Sequence, residues 1–232
     1  MAKKPRTPAP PRPVQAPKRR DTPKARRQVD RRVIGGAAAV VVLAIAIVLA
    51  VVLTRGGGGN AGASSSPTTI NWAALGHLQT GPPPWGNDSA NLTDRLLPLG
   101  LNQLGTEGQV LHIHQHLDLF VKGKNVTLPA GVGIYDSAYL TELHTHQPDG
   151  IIHVESPVQR KFVLGQIFGE WGVKLTPTCV GSFCGKLSWW VNGVKQTGNP
   201  AQLILKAHQE IAIVLGKPPA VVPKSYKFPA GL

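Results

Sequence analysis

From position 111 the chain alternates between apolar and polar residues. Leu111 and Ile113, then Leu117, Leu119 and Val121, occupy every second position. A period of two predicts a strand with one face toward a core. Gly123-Lys124-Asn125 then turns the chain into a second short strand over 126–128. Leu143-His144-Thr145-His146 leads to Gln147-Pro148-Asp149-Gly150 and returns over 151–155, which reads as a hairpin. Asn192-Gly193 joins a second hairpin, 187–191 with 194–196. The near-continuous apolar run 210–215 fits a strand buried on both faces.

Helical spacing is scarce. A short helix is expected from Ser89 or Ala90 to Leu97, with Ser89 as N-cap and Leu92, Leu96 and Leu97 as its apolar face. A second is expected over 162–171, closed by Gly172. The last 15 residues contain four prolines and are expected to be irregular. The fold class is therefore mainly β, a small sandwich or barrel with one or two short helices, spanning 70–232.

The N-terminal third has another character. Residues 33–53 form a run without charge or proline. At about 1.5 Å per residue it spans roughly 30 Å, a bilayer's hydrocarbon thickness. Arg31 and Arg32 precede it and only Arg55 follows closely, which places the tail in the cytoplasm and 54–232 outside. The run is too long for the apolar segment of a cleaved signal peptide. Residues 1–32, with seven prolines and no apolar periodicity, read as a disordered tail. Residues 54–69 read as a flexible Gly/Ser linker. The expected organisation is a single-pass cell-membrane protein with an extracellular C-terminal domain.

Charge supports this division. The net charge of +13 is concentrated in the tail, where twelve Lys/Arg face Asp21 and Asp30. The other 200 residues hold 13 basic and 10 acidic side chains, so nothing marks the domain as a nucleic-acid binder. The bilayer is the expected partner, and the basic tail reads first as a plain topology signal, with contact to anionic inner-leaflet lipids as the alternative. Nothing in the sequence identifies a protein partner.

Six of the eight histidines fall in two stretches, His112, His114 and His116 in HIHQH, and His144, His146 and His153 in LHTHQPDGIIH. Alternation puts His112, His114 and His116 on one strand face, and His144 with His146 on another. Neighbouring strands would gather these imidazoles around a transition metal, copper or zinc first. His153 shares the face of His144 if 147–150 is a four-residue loop. With a G1 bulge it pairs with Thr145 and points away. Asp118, Glu142 and Glu155 are the nearby carboxylates. With Cys179 and Cys184 read as paired and Met1 the only methionine, a His/Cys/Met copper set cannot be assembled. Cys179 and Cys184, outside the membrane, read as a disulfide. His77 and His208 are isolated and read as structural. Of Trp189 and Trp190, adjacent on one strand, one is expected in the core and the other at the surface.

The segments HIHQHLDLFVKG, LPAGVGIYD, LHTHQPDGIIHVE, FVLGQIFGEWGV and VNG…HQEIAIVLG resemble a family of uncharacterised, membrane-anchored proteins from actinobacteria and related bacteria, over about 76–216. That resemblance implies an extracytoplasmic His-rich domain and carries no activity. HxH followed by Gly123-x5-Pro129-x-Gly131 also resembles pieces of the two cupin motifs. The cupin Glu after HxH is missing, and Ile134 stands where the second motif has His. HxH beside a third His is similar in geometry to the zinc site of α-carbonic anhydrases.

Three functions remain. The first is a metal-binding module with a filled coordination sphere. The second is a metalloenzyme holding zinc, copper or iron with an open position and a carboxylate base. The third is an interaction domain whose histidine face responds to pH without metal.

Overall fold

The computed structural model describes residues 69–232. The expected tail (1–32), membrane span (33–53) and all but the last residue of the linker (54–69) lie outside the described residues. Among the described residues no helix is long and apolar enough to cross a membrane.

The chain enters through helix α1 (Leu92–Leu99), strand β1 (Gln103–Leu104), the long strand β2 (Leu111–Val121) and β3 (Lys124–Asn125). Then come β4 (Ile134–Tyr135), β5 (Tyr139–Thr141), β6 (Leu143–His144), β7 (Ile151–Ser156) and helix α2 (Leu164–Glu170). It finishes with β8 (Cys179–Val180), β9 (Phe183–Cys184), β10 (Leu187–Val191), β11 (Val194–Lys195) and β12 (Glu210–Leu215). Seven strands form the main sheet in the order β11-β10-β12-β2-β7-β6, with β3 on the end of β2. The one parallel pair in it joins β12 to β2. The sheet starts at β11 and stops at β6, so it is open and does not close into a barrel. β1, β5 and β4 make a small second sheet, and β8 and β9 a two-stranded ribbon.

Register gives the main sheet two different faces. Leu117, Leu119 and Val121 lie beside Ile211, Ile213 and Leu215, which in turn face Val191, Trp189 and Leu187. Ile152 and Val154 of β7 lie on the same side, and all of these belong to the one hydrophobic core. α2 packs into that core through Ile167 and Phe168, with Trp171 just beyond its end. The opposite face carries His112, His114, His116 and Asp118 of β2, His153 and Glu155 of β7, His144 of β6 and Glu210 of β12. The alternation therefore separates a packing face from a polar face across the same strands.

Several local expectations shift. α1 begins at Leu92, after a 3₁₀ turn over Ser89–Asn91, so Ser89 does not cap it. Its buried apolar residues are Leu92, Leu96 and Leu99, while Leu97 is 89% exposed. Positions i, i+4 and i+7 share a helix face, and Leu97 is rotated about 100° from Leu96. α2 is shorter than 162–171. Gln166 accepts the Val163 N–H at its start, and Gly172 (φ +70°) follows its end. The turn after β2 sits at Lys122 and Gly123, both at positive φ, so its return strand is 124–125 rather than 126–128. Asn192 and Gly193 also both adopt positive φ, as a type I′ hairpin requires. Trp189 is buried in the core and Trp190 is half-buried on the other face, with Lys195 over its ring. No regular element follows Leu215 among the described residues.

Candidate metal centre

The hairpin of β6 and β7 builds the floor of the site. His144 pairs with His153, so 147–150 is the four-residue loop and the two histidines share a face. Their rings stack at 5.3 Å between centroids. β2 supplies the adjoining wall, with His114 opposite His153 and His112 opposite Glu155. His146, just past β6, folds back until its Nε2 is 3.2 Å from Nε2 of His144. Two ligands of one tetrahedral ion at about 2.0–2.1 Å must lie about 3.3 Å apart, so this spacing is that of a ligand pair.

Glu155 stands at the centre, 1% exposed. One carboxylate oxygen, Oε1, is 3.0 Å from Nδ1 of His153, 3.3 Å from Nε2 of His112 and 3.8 Å from Nε2 of His114. The other, Oε2, lies 3.8 Å from Nε2 of His144. Oε2 and the His114 Nε2 are buried without a hydrogen-bond partner. Ligand-bearing atoms of His144, His146, His153 and Glu155 all lie within 4.8 Å of one another, as do those of His112, His114 and Glu155.

Protonation suits a cation. Burial lowers the His144 imidazole to about 4, against the pull of Glu155. Its Nδ1 donates to the Thr141 carbonyl at 3.0 Å, which leaves the Nε2 lone pair facing the centre. Burial, with His153 and His112 acting in the same direction, lowers His114 to about 4. Burial disfavours the Glu155 anion, yet the His153 bond and the surrounding imidazoles outweigh it and hold the carboxyl below its ordinary value. The cluster thus presents a buried negative charge beside two imidazoles, His114 and His144, whose burial favours the neutral form with a free lone pair. The outer edges of His112 and His146, with side chains 38% and 40% exposed, face solvent.

His116 stands apart although it shares the face. Its Nδ1 bonds Glu210 at 2.8 Å and its Nε2 bonds the Asp149 carbonyl at 3.0 Å. The Asp149 carbonyl accepts only, so Nε2 donates; opposite an ionised Glu210 Nδ1 donates as well, and the ring is an imidazolium. Burial opposes that charge, but the Glu210 carboxylate prevails and raises the pKa. Gly150 (φ +84°) makes the contact sterically feasible, because a Cβ there would meet Nε2 of His116 at 2.8 Å. Tyr226 stacks on the other side of the ring, centroids 3.7 Å apart and planes within 7°. His116, Asp118 and Glu210 do form a third group of close ligand atoms, but its imidazole has no free lone pair.

The other candidates separate cleanly. Glu142 turns away to Arg160 and to Asn102 and Ser156, outside the cluster. Cys179 and Cys184 form the expected disulfide. His208 donates its backbone N–H to the His114 carbonyl and sets its ring against Phe228. The backbone carbonyl of His77 accepts from the buried Arg95.

Sequence reasoning missed three acidic residues. Glu107 reaches His146 at 3.3 Å, Glu210 holds His116, and Glu170 lies behind Thr141 at 2.5 Å from its hydroxyl. Glu170 is fully buried, and burial raises its pKa well above the ordinary value. None lies within twenty residues of its partner, and only the fold's pairing could have located them.

No family model, curated protein or solved structure matches the chain. What the site does must be read from its own chemistry.

Proposed function

We propose that the domain binds a transition-metal ion, copper or zinc, through His144, His146 and His153 with Glu155, and that 33–53 anchors it on the outer side of a membrane. The reading is carried by Glu155. It is a buried carboxylate, and among the described residues the basic side chains within 4.0 Å of it are all histidines. Burial holds two of these imidazoles, His114 and His144, neutral at physiological pH, so they bring no balancing charge to the carboxylate. A buried anion without a counter-charge is costly, whereas one lining a cation site is stabilised when the ion binds. Imidazole-rich ligation selects zinc or copper over calcium or magnesium. Solvent-facing edges at His112 and His146 suit capture and release.

The test uses the full chain in detergent, stripped of metal and offered copper or zinc. Bound metal counted by elemental analysis, and a Tm rise on loading, are expected. At an ion concentration 100 times Kd the gain is about 2.7 kcal/mol. That corresponds to a Tm rise of roughly 5–10 °C for a domain of this size. His144→Ala should weaken binding beyond the ~10–100-fold loss typical of changes to residues that only support ligands. A wild-type protein that takes up neither metal sinks the reading.

A further inference from the structure

The cluster holds more ligands than one ion uses. Five imidazoles and one carboxylate converge, while a structural zinc or copper site of this kind takes four. Geometry sorts them into two groups, His144, His146 and His153 on one side and His112 and His114 on the other, each closed by Glu155. Glu155 is the shared member, and its oxygens point differently. Oε2 faces His144 at 3.8 Å, and Oε1 faces His112 at 3.3 Å and His114 at 3.8 Å while also bonding Nδ1 of His153 at 3.0 Å, which leaves the His153 Nε2 as that ring's ligand atom. Each group also contains one buried polar atom without a partner, Oε2 of Glu155 toward the first and Nε2 of His114 toward the second. Buried polar atoms are rarely left unpaired, and two such atoms aimed into two adjoining ligand groups mark two directions along which an ion would be bonded.

We propose that Glu155 bridges a pair of divalent transition-metal ions, one held by His144, His146 and His153 and the other by His112 and His114. This rests on the metal-binding reading above and extends it from one ion to two. A bridging carboxylate is a hard donor, which selects copper(II) or zinc(II) over copper(I). Paired metal sites commonly hold ions about 3.5–4 Å apart, within the span of a single carboxylate. The two ions are not equivalent. The first has three imidazoles, two of them buried. The second has two imidazoles and the carboxylate, one protein ligand fewer, so its remaining position belongs to water. The second ion is therefore the exchangeable one.

The experiment loads the metal-free full chain with copper(II), removes excess by gel filtration, and measures metal per chain together with the paramagnetic resonance signal. Two ions per chain are expected, with most of the copper missing from the ordinary doublet signal because the bridged pair is magnetically coupled. His112→Ala/His114→Ala should bind one ion and recover a full doublet signal. Should that variant misfold by circular dichroism, His112→Gln/His114→Gln replaces it. One ion per wild-type chain, or two ions with a full uncoupled signal, overturns the bridge and leaves the single-ion reading standing. No bound copper, with zinc likewise unbound, overturns both.

Discussion

His114 and His116 are two residues apart on one strand face, yet their chemistry is opposite. His114 is held near pKa 4 by burial, and its Nε2 is unpartnered beside Glu155. His116 is held protonated, with both nitrogens bonded and Tyr226 stacked on its ring. The strand period puts both side chains on the polar face and does nothing more. The neighbouring strand decides the rest. Beside His114 lies β7, which brings another imidazole and a carboxylate shared among several rings. Beside His116 lies β12, which brings Glu210 as a private partner. One region keeps lone pairs available, and the other has used every donor it has.

The largest effect comes from breaking the saturated region. His116→Ala leaves Glu210 buried without its cation, which costs about 3–5 kcal/mol. That is a Tm loss of roughly 10 °C for a domain of this size. Metal per chain should not change, because His116 supplies no lone pair. Thermal melts and elemental analysis of the same preparation check both halves. Loss of metal from a folded His116→Ala protein would place His116 among the ligands and erase the distinction.

The pH dependence separates the regions by sign. His114 and His144 fall from 6.5 to about 4 on folding, so between those values the unfolded chain binds more protons. Stability from this region is present above pH 6.5 and is lost as pH falls toward 4, by on the order of 3 kcal/mol for each of the two groups. His116 and Glu210 are both raised on folding. In Glu210 burial dominates, with Asp118 adding to it against the pull of His116. The His116 contribution is present below pH 6.5 and is lost as pH rises through its folded value, whereas that of Glu210 is full below pH 4.5 and is lost as pH rises through its own raised value. Tm of the metal-free protein should therefore peak near pH 6.5. His144→Gln should flatten the acid limb alone. A variant that flattens both limbs would mean that the regions titrate as one.

The sequence already contained most of the face but little of the assignment. Alternation in HIHQH and LHTH located four of the five converging imidazoles, because strand period is local. The choice between two hairpin registers for His153 was open, since turn residues alone permit both. The pairing of His144 with His153 settles it. What removes His116 is not local at all. Glu210 lies 94 residues away on a parallel strand, and Tyr226 comes from a segment without regular structure. Glu155 was legible as a nearby carboxylate, but its central place depends on β2 and β7 lying side by side. The open sheet in place of a barrel has the same origin, because strand order is set by pairings between distant segments.

The smallest change tests whether the regions are independent. Tyr226 contributes a flat ring against the His116 imidazolium, with the planes nearly parallel. Stacking of this kind is worth about 0.5–1.5 kcal/mol beyond buried area. Tyr226→Ala should lower Tm by roughly 1–6 °C. Tyr226→Phe keeps the plane and should stay close to wild type. Removing the ring also admits water to His116 and Glu210, which lessens the burial that opposes the His116 charge. The imidazolium should become easier to maintain, and the alkaline limb of the Tm profile should move to higher pH. Copper or zinc per chain should be the same in all three proteins, because the ring covers the pair that has no lone pair to give. A fall in metal content with Tyr226→Ala but not Tyr226→Phe would show the C-terminal segment holding both regions in place.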